Sequence, residues 1–263
     1  MVGVDASDYG FEALQQALVL RPDNGTLCAV TVLEEHLAAQ TGFDARRVAA
    51  DMADEAEQTR ERAEALLGGQ ASCEARVVRG HALQALTDLC RSERAELVAV
   101  GARRRSRPTG ILLGAITTSL LHDAPCAVLL ARPRWGERWM PQRILVGVDG
   151  SEQSLAALAT ADELAGRFGS TVMVLAATGG KPIEQGRDWA ARVGTWASGR
   201  AVGALLDESI GHDLVVLGSR GLHGLGALGS ASERVAHRAH CSVLVVRPTS
   251  HLSAGSPDLG GAT

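Results

Sequence analysis

Residues 213–248 read DLVVLGSRGLHGLGALGSASERVAHRAHCSVLVVRP, and the order of residue types in this stretch decides the fold. Leu214 to Leu217 is a short apolar run rich in β-branched residues, the pattern of a strand buried on both faces of a parallel sheet. It stops at Gly218, the first of the glycines at 218, 221, 224, 226 and 229. From Ser230 to Arg238 the pattern turns helical, with Glu233 in the first turn, and CSVLVVRP returns to strand character. Glycine tolerates positive φ and close approach to the backbone, while the start of the following helix offers unpaired N–H donors and the positive end of its dipole. A strand, glycine loop and helix of this kind can hold an anion. It can equally end a strand and make room for helix packing, and these residues alone leave both readings open.

The same unit occurs earlier in the chain. Val2-Gly3-Val4-Asp5-Ala6-Ser7 corresponds to Val146-Gly147-Val148-Asp149-Gly150-Ser151 at an offset of 144, and Gly101-Ala102-Arg103 to Gly218-Ser219-Arg220 at an offset of 117. Gly114, Cys126 and Arg132-Pro133 correspond to Gly229, Cys241 and Arg247-Pro248, all at an offset of 115. The falling offset locates two deletions in the second unit: 27 residues between its first strand and its glycine loop, and two more inside the loop.

In the first unit a truncated strand at Val2 to Asp5 leads into a helix over Asp8 to Leu20 with Ser7 as its cap. A natural start upstream of Met1 would account for the truncation. A strand at Thr26 to Leu33 follows, then a long amphipathic helix over Ala45 to Leu67, rich in Ala, Glu and Arg and ended by Gly68-Gly69. Glu74 to Val78 is a strand, His81 to Arg91 a helix, Leu97 to Val100 a strand, Gly101 to Leu113 a loop, Ala115 to His122 a helix and Cys126 to Ala131 a strand. The second unit repeats this order, with a strand at Arg143 to Asp149, a helix at Gln153 to Phe168 and a strand at Thr171 to Ala177. An abbreviated middle, Lys181 to Gly199, comes before a helix at Val202 to Ile210. Alternating strands and helices imply parallel sheets covered on both faces.

Composition fits that class. Of 263 residues 46% are hydrophobic, 21% charged and only 3% aromatic, so the core must be built from aliphatic side chains. A net charge of -4 gives no electrostatic ground for nucleic acid as a partner, and no apolar stretch approaches the roughly 18 residues of a membrane span. MVGVDASD has none of the features of a signal peptide, and the expected location is cytoplasmic. Cys28, Cys73, Cys90, Cys126 and Cys241 are widely spaced without a C-x2-C pair and read as buried thiols rather than metal ligands or disulfides. His237 and His240 read as a surface pair, and the run Arg103-Arg104-Arg105 with Arg107 as either a solvated basic loop or an anion contact. Neither a G-x-S-x-G elbow nor a Walker sequence is present.

Gly218-x2-Gly221, a glycine-rich gap, Gly229-Ser230 and the closing strand CSVLVVRP together resemble the universal stress protein family. Its nucleotide-binding members carry G-x2-G-x9-G-S/T. Here seven residues, Leu222 to Leu228, stand in place of nine; the first unit keeps nine but has Arg104 for a glycine and Ala115 for the hydroxyl. The resemblance runs from Val2 to Pro248. It implies an α/β protein of two tandem doubly wound domains, each with its own parallel five-stranded sheet: residues 1–133, a linker over 134–142, residues 143–248, and a disordered tail over 249–263. It further implies a non-catalytic stress-response regulator that binds ATP. The implied contacts are Asp149 and Ala176 for the adenosine part and Gly218, Gly221, Gly229, Ser230 and Ser232 for the phosphates; Asp5 and Val32 are their first-unit counterparts. The second unit is the expected site, because a side chain at Arg104 would fill the phosphate position of the first. CAVLLARP and CSVLVVRP are expected to pair, joining the units as an intramolecular pseudo-dimer, with a homodimer as the other arrangement. The competing reading is an interaction scaffold of the same fold without nucleotide.

Overall fold

The structure is a computed structural model that describes residues 1–102, 105–107, 110–133, 138–176, 188–196, 201–219 and 229–247. Strand β1 (Val2–Gly3) enters helix α1 (Asp8–Leu20), whose start is fixed by Ser7: its Oγ accepts from the Gly10 N–H at 3.3 Å. Strand β2 (Leu27–Leu33), the short helix α2 (Glu35–Ala39), helix α3 (Ala45–Leu67) and strand β3 (Cys73–Arg79) follow. Helix α4 (Ala82–Ser92) and strand β4 (Leu97–Gly101) lead to an antiparallel hairpin, β5 (Arg105–Arg107) and β6 (Gly110–Leu112), then α5 (Ala115–Asp123) and β7 (Ala127–Ala131). The second half contains β8 (Arg143–Val148), α6 (Glu152–Phe168), β9 (Thr171–Ala176), β10 (Val193–Trp196), α7 (Ala201–Glu208), β11 (Leu214–Gly218), α8 (Ser230–Arg238) and β12 (Ser242–Val246).

The expectation of two tandem domains with separate five-stranded sheets is corrected by the strand order. One continuous ten-stranded sheet runs β10-β9-β8-β11-β12-β7-β4-β1-β2-β3. All its neighbours are parallel except β12 and β7, which pair antiparallel with Val243 opposite Leu130 and Val245 opposite Val128. The physical cause lies in those two strands. Each would otherwise end its half-sheet with a row of unmet N–H and C=O groups flanked by fully buried Val, Leu and Ala, so mutual pairing removes both edges at once. CAVLLARP and CSVLVVRP thus form the seam of a single sheet.

The core follows the sheet across that seam. On one face Val2, Val4, Leu14, Ala99 and Leu129 pack in a cluster with Ile144, Val146, Leu158, Leu214 and Leu244; on the other, Val98, Leu120, Val128 and Leu130 join Leu145, Val215, Val235 and Val243. Alternate strand residues supply the two faces, as the pleat requires. Gln16 of α1 is fully buried at the seam, donating through Nε2 to the Arg132 carbonyl at 2.9 Å and accepting from Ser242 Oγ at 2.7 Å.

The loop expected over 101–113 contains the β5–β6 hairpin, and α2 is an element that the sequence reading lacks. The expected tail over 249–263 lies outside the described residues. Among the described residues no helix is long and apolar enough to cross a membrane. The five cysteines are free thiols, but only Cys28, Cys90 and Cys126 are buried; Cys73 at the start of the outermost strand β3 and Cys241 just before β12 are half-buried.

Candidate functional site

In each half the order is third, second, first, fourth, fifth strand, so the chain leaves β1 to one side and returns on the other at β4. A crevice opens beyond the carboxyl ends of the strands at such a reversal. The described residues form one there in the first half, a cleft of about 650 Å³. Its floor is built from the ends of β1 and β2, including Asp5, Val32 and Glu34; one wall comes from α3 through Met52, Glu55 and Thr59, and the other from Gly101 and the α5 start, Gly114 to Thr117.

Two features of this cleft can receive a polar ligand. Asp5 is exposed at the mouth, and its Oδ1 accepts from both the Ser7 N–H at 3.2 Å and the Ser7 hydroxyl at 2.5 Å, which holds the carboxylate in place. The second feature is the start of α5. Whereas α1 and α6 are capped by Ser7 and Ser151, α5 begins at Gly114 with no side-chain hydrogen bond to its first turn. A Cβ at Gly114 would meet nothing closer than Thr117 Oγ1 at 3.9 Å, and its φ of -61° suits any residue. Neither strain nor packing requires glycine there, and its absence of a side chain leaves the first-turn N–H groups open to the cleft.

The second half repeats the frame. Asp149 is exposed after β8, its Oδ1 accepting from the Ser151 N–H at 3.0 Å and hydroxyl at 2.6 Å. Ala176 is the buried last residue of β9, beside Val148. Gly229 precedes α8, also with no side-chain cap, Ser230 is exposed in its first turn, and Ser232 Oγ donates to the Gly218 carbonyl at 2.9 Å. Gly221 and residues 222–228 lie outside the described residues, as do Arg103 and Arg104. The described members, Asp149, Ala176, Gly218, Gly229, Ser230 and Ser232, therefore gather at the ends of β8, β9 and β11 and the start of α8.

Gly218 has a packing role that the sequence reading leaves open. A Cβ there would stand 2.5 Å from the Gln153 carbonyl carbon at the start of α6, and one at Gly101 would stand 2.5 Å from the Tyr9 carbonyl. Both glycines let a helix start lie against a strand end. Conversely, Glu34, Met52, Glu55 and Thr117 line the cleft although no motif marks them. Their signal is positional: residues just after β2, and those of α3 facing it. Of the histidine pair, His237 is half-buried and His240 exposed; burial holds the His237 imidazole below its ordinary value, against the opposing pull of Glu233.

The sequence matches the family model described as universal stress protein family over residues 1–132, 140–188 and 190–247. A universal stress protein of Mycobacterium tuberculosis is 31% identical over 212 residues, spanning 69% of this chain and 71% of its own. One from Mycolicibacterium smegmatis is 33% identical over 188 residues, 60% of this chain and 63% of its own. Among solved structures, a universal stress protein of Archaeoglobus fulgidus superposes with a TM-score of 0.65 at 22% identity, over 94% of this chain and 98% of that one. A putative universal stress protein of Pseudomonas aeruginosa gives 0.64 at 17% identity, over 94% and 92%. At these identities the structural likeness speaks for the fold.

Proposed function

The chain belongs to the universal stress protein family, and on that premise we propose that it is a stress-response regulator that binds an adenine nucleotide in the first-half cleft. The family is one of regulatory, non-catalytic proteins, and the proposal concerns binding, not turnover. The observation that carries the reading is the pairing, in one cleft, of the Asp5 carboxylate with the uncapped start of α5. β2, β1 and β4 are neighbours, so the ends that supply Val32, Asp5 and Gly101 step across roughly 10 Å of sheet edge, a span suited to base, ribose and phosphate in turn. The apolar wall of Val32, Met52 and Ala56 suits the base, and Asp5 suits the ribose hydroxyls as acceptor. Phosphates fall to the N–H groups after Gly114. Arg103, Arg104, Arg105 and Arg107 carry charge of the sign that phosphates require. On this reading the nucleotide occupies the half that the residue types at Arg104 and Ala115 disfavour.

A second site, of Asp149, Ala176, Gly218, Gly221, Gly229, Ser230 and Ser232, is favoured by the parallel construction of α8 and by the Ser232 bond to Gly218. Calorimetric titration of ATP into native protein, Asp5→Ala and Asp149→Ala distinguishes them. Loss of binding in Asp5→Ala alone supports the first half, loss in Asp149→Ala alone moves the site to the second, and absence of binding in native protein leaves the scaffold reading.

A further inference from the structure

At the rim of the cleft stands a second group of residues that neither the repeat nor the family resemblance singles out. β2 and β3 pair in parallel up to Leu33 and Arg79, so the residues that follow each strand emerge side by side: Glu34-Glu35-His36 after β2 and Gly80-His81 after β3. The Gly80 N–H donates to the Leu33 carbonyl at 3.1 Å, and the Gly80 φ of 140° turns the chain so that His81 comes back over β2. One ligand atom each from Glu34, His36 and His81 then lies within 4.8 Å of the others. The two imidazole centroids are 3.9 Å apart, inclined at 47°.

We propose that Glu34, His36 and His81 form a binding site for a zinc-class divalent transition metal, with one coordination position left open toward the cleft. The donor set decides the class. Two imidazole nitrogens and a carboxylate oxygen suit Zn²⁺, whereas Ca²⁺ and Mg²⁺ take oxygen ligands. Ligand atoms about 2.0–2.1 Å from a tetrahedral metal stand about 3.4 Å apart, so closure needs a movement of the order of 1 Å. His36 is half-buried and His81 exposed, and each can supply that by rotation of its side chain. Glu34 is held in position: its Oε1 accepts from the Ala82 N–H at 2.9 Å, and a carboxylate has a second oxygen for the metal. Arg79, directly before Gly80, is paired with Glu35 at 3.3 Å.

The other potential group among the described residues, Cys28, Glu74 and Glu93, shows what a filled position looks like. There the Arg76 guanidinium pairs with Glu74 and, at 2.8 Å, with Glu93, while burial pushes the Cys28 thiol up to about 11. Its cation is already supplied by the protein. No described cation is paired with Glu34, His36 or His81. Glu34 and Ala82 line the cleft, so a metal here would brace the corner where β2 meets α4, whether or not nucleotide is the occupant.

The test uses the untagged full chain, stripped with a chelator and titrated with Zn²⁺ against a chromophoric competitor, then with Co²⁺ for its visible spectrum. The site requires one equivalent of metal and cobalt ligand-field bands without a thiolate charge-transfer band. His36→Gln and His81→Gln should each weaken binding by about tenfold or more, with an unchanged far-ultraviolet circular dichroism spectrum. Glu34→Gln keeps an acceptor for the Ala82 N–H and should weaken it too. Failure to take up an equivalent, a thiolate band, or unchanged affinity in the His36→Gln/His81→Gln double variant would overturn the proposal.

Discussion

Arg132 and Arg247, equivalent residues after β7 and β12, cross the seam in opposite directions. Arg132 donates to the carbonyls of Ala236 in the last turn of α8 and of Cys241, the latter at 3.0 Å. Arg247 donates to Leu121 in the last turn of α5 at 2.9 Å and to Cys126 at 3.0 Å. Each cation thus meets the negative end of a helix belonging to the other half. Arg132, only 4% exposed, should be the more costly to lose: Arg132→Met is expected to destabilise the chain by about 2–4 kcal/mol in urea unfolding, the value of one or two charged hydrogen bonds. Arg247→Met should shift the midpoint in the same direction. An unchanged midpoint in Arg132→Met would mean that the clamp contributes nothing.

The two glycine roles separate in a pair of alanine variants. Gly218→Ala forces a methyl against the Gln153 carbonyl and should cost about 1–3 kcal/mol, as overpacking does. Gly114→Ala brings a methyl no closer than 3.9 Å to Thr117 Oγ1 at an ordinary φ, so its stability should stay within about 0.5 kcal/mol of native. Yet it should weaken ATP binding, because the methyl intrudes on the cleft. Equal stability losses in the two variants, measured by thermal unfolding, would contradict this assignment.

Stability should fall in mild acid, in part through His237. Burial lowers its folded value, with Arg132 and His122 acting in the same sense and Glu233 opposing. A depressed value means that the stability is fully present above the unfolded value of about 6.5 and is lost as pH falls below it toward the folded value. Urea midpoints should therefore decline between pH 7.5 and 5.5, and His237→Gln should flatten that decline. A slope unaltered by the substitution would remove His237 from the account.

How far the chain could be read in advance differed by element for physical reasons. Helix α1 with its Ser7 cap and α3 over Ala45–Leu67 are legible because caps, helix formers and a stopping Gly68 are local signals. Helix α2, five residues without a side-chain cap, and the arginine-bearing β5–β6 hairpin carry no periodicity to find. The continuity of the sheet is not legible because apolar runs such as Ala127–Ala131 report burial on both faces but not the neighbouring strand. Glu34 and His81 are brought together only by the β2–β3 pairing, across 47 residues of chain that no local pattern spans. The repeat marks Asp5 and Asp149 alike, whereas the cleft beside Asp5 has an α3 wall with no counterpart among the described residues of the second half.

The most direct test of nucleotide binding in the first half is photolabelling of the full chain with 8-azido-ATP, followed by peptide mapping, with excess ATP as protector. A base seated against β2 and α3 should place the label on residues 30–33 or 52–59, and ATP should abolish it. ATP-protected label confined to residues 171–176 or 214–219, or the absence of protectable label anywhere, would contradict the account.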